Sequence, residues 1–487
     1  RPYEAVPLRF RLTEEEQAVL AVNRHQLPGV VVDAQLLRHY PHGELFSHAL
    51  GYVGRINERE ALVLDETDYR GTFHVGKVGV EKYYEDILHG NVGYQNVESN
   101  AHGRVLRVLE RHDPEPGADL VLHLDYHIQR AATDALGERR GAVVAMDPQT
   151  GGILALVSTP GFDTNLFVNG ISSKDYSALR DSLDVPLFNR AVQGSYPPGS
   201  TVKPFMGMAG LESGLVTPQT TVPDPGWYML PGSSRRYRDW TWSSRRSGHA
   251  AKVDLKMAIS ESCDVYFYDL ARRLTIDRMH ELLSPYGFGS RTGVDTTNER
   301  SGVLPSTRWK REAMAQPWYP GETISAGIGQ GYWLATPLQL AVATSVMASR
   351  GERRVPRLLM ALDGEPLESA PLQPAQAPAA YWDAIFDGMR EVVHGRRGTA
   401  NYLAKDISYE MAGKTGTAQV IGIAQGEDYK EEEVDERHRH HGLFIAFAPI
   451  EAPSIAVAII VENGGGSSAA APIARAVIDT WLLGEAG

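Results

Sequence analysis

Two hairpin patterns, far apart in the sequence, constrain most strongly what this chain can fold into. Gly141–Asp147 and Gly152–Val157 are apolar runs around the turn residues Pro148-Gln149-Thr150-Gly151. Gly442–Pro449 and Ser454–Val461 repeat the pattern around Ile450-Glu451-Ala452-Pro453. Apolar runs that flank turn residues read as paired antiparallel strands. Between the two hairpins lies a long, mostly helical stretch with no internal repeat. Strands at both ends and helices between them predict one α/β or α+β domain of about 360 residues, its sheet assembled from sequence-distant strands.

Length and composition narrow the rest. At about 150 residues per domain, 487 residues suggest roughly three domains. The pattern itself divides into two, residues 1–117 and 118–487. A hydrophobic fraction of 43% is enough for a sizeable core and excludes a disordered or fibrous chain. The formal net charge of -12 argues against a general nucleic-acid binder, which needs a basic face. The apolar run Ile455–Val461 is far shorter than the ~20 residues that span a bilayer. No signal peptide is visible, and the chain starts at Arg1 in mid-pattern, as though an upstream part were missing.

In residues 1–117, Thr13 with Glu14, Glu15 and Glu16 reads as a capped helix start. Glu58–Leu64 reads as a second helix, and Val30–Val32 and Leu36–Tyr40 as short strands or extended pieces. No polar cluster here suggests chemistry, so an accessory or docking module is expected. Further on, Asp119–Leu124 reads as a strand and His127–Leu136 as a helix. Leu362–Ala380, rich in Pro and Ala, reads as a surface loop. Gly426–His441 carries Glu427, Asp428, Lys430, Glu431, Glu432, Glu433, Asp435 and Glu436, then His438, His440 and His441. It reads as a solvated loop, with adventitious metal binding as the alternative.

The chemistry concentrates in three places. In Tyr196-Pro197-Pro198-Gly199-Ser200-Thr201-Val202-Lys203, a Pro/Gly turn leads into a helix. Ser200 and Lys203 are three apart and share a face. A serine hydroxyl needs a base to become a nucleophile, and a lysine serves when desolvation and nearby cations favour its neutral form. Downstream come Ser260-Glu261-Ser262-Cys263-Asp264 and Gly413-Lys414-Thr415-Gly416-Thr417. Ser-x-x-Lys alone is a weak signal. Its order with Ser-x-Asp and Lys-Thr-Gly resembles the penicillin-binding proteins and serine β-lactamases. Gly76-x-x-Gly79-Val80-Glu81-Lys82 with Gly103-Arg104, Asp147-Pro148-x-Thr150-Gly151 and Glu462-Asn463-Gly464-Gly465-Gly466 narrow the resemblance to the class B penicillin-binding proteins. Tyr196-Pro197-Pro198-Gly199 and the Ser262-Cys263-Asp264 form resemble the elongation branch of that class, whose division-type relatives usually carry Asn in the second motif.

That resemblance implies a transpeptidase domain, with a central antiparallel sheet flanked by helices, at residues 118–487. It implies a non-catalytic, dimerisation-type pedestal, lacking its first part, at residues 1–117. It assigns Ser200 as the acylated nucleophile and Lys203 as general base. Ser262 would relay a proton, Asp264 would order Lys203 or the substrate, and Lys414 would supply positive potential. Thr415 and Thr417 would bind a substrate carboxylate, and Gly416 would leave room for substrate along the strand. The backbone N–H groups of Ser200 and Thr417 would form the oxyanion hole. The implied reaction is peptidoglycan D,D-transpeptidation in cell-wall elongation, blocked covalently by β-lactams and needing no cofactor. A β-lactamase or D,D-carboxypeptidase shares the acylation machinery and differs in activating water, for which no confident Glu motif is visible. Implied partners are peptidoglycan stem peptides, a SEDS-type glycosyltransferase and elongation scaffold proteins. The implied location is the inner membrane, through an N-terminal helix absent from this sequence, with the catalytic domain in the periplasm.

Cys263 is the single cysteine, so no intramolecular disulfide forms, and the redox compartment stays open. With Asp224, Asp239 and His249 it could complete a tetrahedral zinc site. Spacings of 15, 10 and 14 match no common zinc-finger pattern. A buried small thiol with turn-forming carboxylates is the alternative. The family resemblance implies a structural zinc here, with four protein ligands and no open position.

Overall fold

The computed structural model describes residues 8–484 apart from 10, 11, 35, 101–104, 243–245, 368–371, 373–376, 422–428 and 430. Gly103, Arg104, Glu427, Asp428 and Lys430 therefore lie outside the described residues. The chain forms two compact units. One comprises Arg1–Asp119 with Asp163–Ala178, the other Leu120–Phe162 with Leu179–Gly487.

In the first unit, helix α1 (Glu14–Asn23) starts at the expected capping box, Thr13 Oγ1 accepting from the Glu16 N–H and Glu16 from that of Thr13. Strands β1 (Tyr52–Arg55) and β2 (His74–Val78) pair antiparallel. Of the short strands or extended pieces expected at Val30–Val32 and Leu36–Tyr40, no strand forms. Val30–Val32 and most of the second run are without regular structure, and Val31, Val32 and Leu36 are exposed. β-Branched residues favour strands only where a neighbouring strand and a packed face are available. Tyr40 is held by Asn165, whose Nδ2 donates to the Tyr40 carbonyl at 2.9 Å and whose Oδ1 accepts from its N–H at 3.0 Å. Phe167 stacks on Tyr52 at 4.2 Å. These contacts draw Asp163–Ala178 into the first unit, a segment the sequence pattern groups with the second. Strands β3 (Tyr94–Ser99) and β4 (Val105–His112) form an antiparallel ribbon exposed on both faces.

The second unit is built on a five-stranded antiparallel sheet. Its strands are β5 (Gly141–Met146), β6 (Ile153–Thr159), β7 (Ala412–Ala418), β8 (His441–Ala448) and β9 (Ile455–Val461), in the order β7-β8-β9-β5-β6. Both expected hairpins are present, and β9 pairs with β5 to join them, Val461 opposite Gly141 and Ala456 opposite Met146. Every residue of β5, β6 and β9 is buried, so helices cover both faces. Two of these helices pack on each other, Tyr126–Leu136 (α2) and Ala471–Leu483 near the C-terminus. Between them in sequence lie α3 (Lys203–Glu212), α4 (Leu255–Ser260), α5 (Asp264–Leu274), α6 (Pro337–Ala348) and α7 (Ala379–His394). α6 is apolar over most of its surface and buried at all twelve residues, as suits a helix enclosed in a core. The Pro/Ala-rich stretch contains a short strand pair, Leu359–Leu362 with Glu365–Pro366, before α7 starts.

In the described part of the acidic/His stretch most residues are exposed, as expected of a solvated loop. Glu431–Glu433 and Glu436–His438 make 3₁₀ turns. The His440 ring stacks on Tyr429 at 3.9 Å, and His441 opens β8.

Candidate active site

The Ser200 motif occupies a 3₁₀ turn, Gly199–Val202, that runs into α3 at Lys203. Gly199 has φ +55°, and a Cβ there would lie 2.5 Å from the Thr417 carbonyl oxygen. Only glycine lets the turn approach strand β7 this closely. Gly416 repeats the contact from the other side, since its Cβ would lie 2.6 Å from Thr201 Cγ2. The Gly199 N–H donates to the Gly329 carbonyl at 2.9 Å. The Lys-Thr-Gly motif thus lies on the edge strand β7 against the turn that carries Ser200.

The Ser-x-Asp motif spans the junction of α4 and α5. Ser262 sits between them with φ +59°, a left-handed conformation that costs a non-glycine residue about 1 kcal/mol or more. This bend sets the Ser262 side chain against two lysines. Lys203 Nζ donates to the Ser262 carbonyl at 2.7 Å and lies 3.2 Å from Ser262 Oγ. Lys414 Nζ lies 2.8 Å from the same Oγ. Lys203 also forms an ion pair with Asp264 Oδ1 at 2.6 Å. The other Asp264 oxygen accepts the Trp240 N–H at 3.1 Å. Thr415 Oγ1 lies 2.7 Å from Thr399 Oγ1.

Both lysines are wholly buried. Two ammonium ions facing one carboxylate would leave a net positive charge in a low-dielectric site, so burial drives one lysine toward neutrality. The direction is clear at Lys414. Burial pushes its ammonium well below the usual lysine range, the Lys203 charge pushes it further, and Asp264 offsets this in part. Lys203 Nζ, Ser262 Oγ and Lys414 Nζ thus form a short chain of hydrogen-bond contacts, with charge disfavoured at its Lys414 end. The shared face expected of Ser200 and Lys203 is approached differently. Lys203 Nζ is directed at Ser262 and Asp264, and no hydrogen bond joins it to Ser200 among the described residues.

Sequence reasoning left other contacts without a role. Tyr196 donates its hydroxyl to Glu462 at 2.7 Å, Gln330 Nε2 donates to the Thr417 carbonyl at 2.9 Å, and Thr399 meets Thr415. Tyr196 and Glu462 lie within quoted motifs. Thr399 and Gln330 carry no local pattern, and only the fold brings them here.

Asp224, Asp239, His249 and Cys263 come together as a buried group, with one donor atom from each within 4.8 Å of the others. His249 Nδ1 lies 2.8 Å from Asp224 Oδ2 and 3.6 Å from Asp239 Oδ1, and Cys263 Sγ lies 3.4 Å from Asp224 Oδ2. A tetrahedral zinc with bonds of about 2.0–2.3 Å places its donors about 3.3–3.8 Å apart; the 3.4 Å and 3.6 Å spacings match, and the 2.8 Å His249–Asp224 contact, a hydrogen bond here, would lengthen around the ion. Burial and the Asp239 and Asp224 carboxylates push the Cys263 thiol well above its ordinary value. Without an ion the thiol therefore keeps its proton, which a divalent cation among the four residues would have to displace. Asp239 Oδ2 also accepts the Asp264 N–H at 2.7 Å, so the group adjoins the catalytic ion pair.

Comparison with known proteins follows the same division. The family described as penicillin binding protein transpeptidase domain matches residues 141–479, and the penicillin-binding protein dimerisation domain matches residues 1–122. The peptidoglycan D,D-transpeptidase MrdA of Acinetobacter baumannii is 47% identical over 99% of this chain and 71% of the relative. Pseudomonas aeruginosa PBP2, solved with WCK 5153, superposes with a TM-score of 0.84 at 48% identity, over 94% of this chain and 93% of that one. Helicobacter pylori PBP2 in its complex with MreC gives 0.85 at 33% identity, over 97% and 84%.

Proposed function

Because this chain belongs to the class B penicillin-binding proteins, we propose a residue-by-residue reading of its chemistry. The protein is a peptidoglycan D,D-transpeptidase of the elongation type. Ser200 Oγ attacks the carbonyl of the penultimate D-alanine of a stem peptide. Its proton passes to Lys203, whose lone pair is made available by shifting a proton along Ser262 to Lys414. The backbone N–H groups of Ser200 and Thr417 receive the oxyanion. The C–N bond then breaks, the departing D-alanine amine takes a proton through Ser262, and Ser200 is left acylated. An amine of a neighbouring stem attacks the ester, loses its proton along this proton wire and restores Ser200. Thr415 and Thr417 bind the terminal carboxylate, with Lys414 supplying positive potential. Asp264 orders Lys203, and Gly416 leaves the edge of β7 open to the substrate backbone.

The observation that carries this reading is Ser262 Oγ held between Lys203 at 3.2 Å and Lys414 at 2.8 Å, beside the turn that bears Ser200. A serine flanked by two buried amines is what an acyl transfer that moves one proton back and forth needs. Labelled penicillin followed by mass spectrometry is the direct test. One adduct per chain with a long lifetime is expected. Equal labelling of Ser200→Ala would overturn the assignment, and rapid loss of the label would favour a hydrolase.

Zinc held by Asp224, Asp239, His249 and Cys263 would serve as a structural cross-link, because four protein ligands leave no position for substrate. Residues 1–117 act as a pedestal that engages elongation scaffold proteins and a SEDS-type glycosyltransferase. The Helicobacter relative solved with MreC supports a scaffold partner. The catalytic unit works in the periplasm of a membrane-anchored protein. Among the described residues no helix is long and apolar enough to cross a membrane.

A further inference from the structure

A small hairpin of the second unit leads directly into the site and presents arginines. Trp227–Met229 and Arg236–Arg238 pair antiparallel, with Tyr228 opposite Tyr237 and Met229 opposite Arg236. Alternation along the strands gives the ribbon two faces. One carries Tyr228 and Tyr237, whose rings lie 6.2 Å and 6.0 Å from Tyr268 on α5. The other carries Trp227 and Arg236, the guanidinium 4.5 Å from the indole centroid. Arg235, at the start of the second strand, lies 5.2 Å from the Tyr237 ring.

Stacking fixes both guanidinium groups while leaving their N–H donors exposed. Neither Arg235 nor Arg236 pairs with a carboxylate among the described residues, in a chain with a net charge of -12. The hairpin is also rigidly joined to the catalytic groups. Its last residue, Arg238, accepts the Tyr268 hydroxyl through its carbonyl at 3.2 Å. The next two residues, Asp239 and Trp240, bond the backbone N–H and the carboxylate of Asp264.

We propose that Arg235 and Arg236 form an anion-recognition rim beside the cleft, which takes the internal carboxylates of an acidic stem peptide. This rests on the transpeptidase reading. The terminal carboxylate belongs to the Lys414–Thr417 strand, and the rim receives carboxylates further back along the peptide. Planar carboxylates match the guanidinium fork, and a backbone laid along the open edge of β7 carries its remaining length beyond the reacting carbonyl.

The test is a competition assay. A pentapeptide ending in D-alanyl-D-alanine is added to slow Ser200 acylation by fluorescent penicillin. One form keeps its internal carboxylates, and the other has them amidated while its C-terminal carboxylate stays free. In wild type the free form should protect about fivefold better, and raised salt should narrow the gap. In Arg235→Gln/Arg236→Gln the two forms should protect equally, with penicillin acylation unassisted by peptide unchanged. Equal protection by both forms in wild type, absence of protection by the free form, or an unchanged gap in the variant would overturn the proposal. Failure of wild type to take up penicillin at all would instead remove the transpeptidase reading beneath it.

Discussion

Tyr196 donates its hydroxyl to Glu462 at 2.7 Å, joining the turn before the nucleophile to the loop after β9. Two arginines hold the acceptor. Arg190 Nε lies 3.1 Å from it but is not aligned for a hydrogen bond, and Arg140 Nε lies 3.7 Å away, so both act as charges. Burial and the Glu462 charge push the Tyr196 phenol well above its ordinary range, which keeps it a neutral donor. Tyr196→Phe keeps the ring and removes the donor. It should lower stability by about 1–3 kcal/mol, because a buried acceptor loses its partner. Penicillin acylation should slow several-fold in a stopped-flow assay, with the turn less firmly placed. An unaltered acylation rate would show that Tyr196 supports the fold alone.

Lys414→Met should separate activity from stability. Acylation should fall about 100-fold or more, since the proton wire loses an end. The unfolding midpoint should stay the same or rise, because a wholly buried amine whose charge is disfavoured is replaced by an apolar group of similar length. Calorimetry of the two proteins makes the comparison.

The same lysine predicts a pH dependence. Its folded-state value is depressed, so between that value and the ordinary lysine range the unfolded chain binds a proton the folded chain lacks. Wild-type stability should therefore rise with pH across this window. Lys414→Met should show a smaller slope in denaturant titrations taken at a series of pH values.

Gly199→Ala should be severe for its size. The added methyl meets the Thr417 carbonyl in a left-handed position, so the turn must move away from β7 or distort. We expect a loss of about 1–3 kcal/mol and near-complete loss of penicillin labelling. Labelling at the wild-type rate would mean that the turn has another stable position.

Elemental analysis should find one zinc per wild-type chain and none in Cys263→Ser. Chelation of the wild type should lower its unfolding midpoint toward that of the variant. Equal, substoichiometric metal in both proteins would leave the four residues as a hydrogen-bonded cluster.

Much of the catalytic unit was legible because its signals are local. Both hairpins were visible as apolar runs, and the three motifs could be placed by spacing alone. Their meeting was not derivable from spacing. Ser262 touches Lys414 because α7 packs on both α4 and β7, elements far apart in sequence. Val30–Val32 left strand and unpaired extended chain both open because a run of β-branched residues reports propensity and not the presence of a neighbour. Asp163–Ala178 left its expected unit through the side chains of Asn165 and Phe167, a tertiary choice without a local pattern. Thr399 and Gln330 were invisible for the same reason.

The position of β7 at the end of the sheet has a further consequence. A catalyst that receives its ligand as an extra strand reads the ligand's main chain before its side chains. Such a site is broadly receptive to any acyl donor of the right outline, which leaves it open to mimics of a dipeptide. Discrimination among natural donors must then be made at a distance from the reacting bond, where mimics too short to reach it escape inspection.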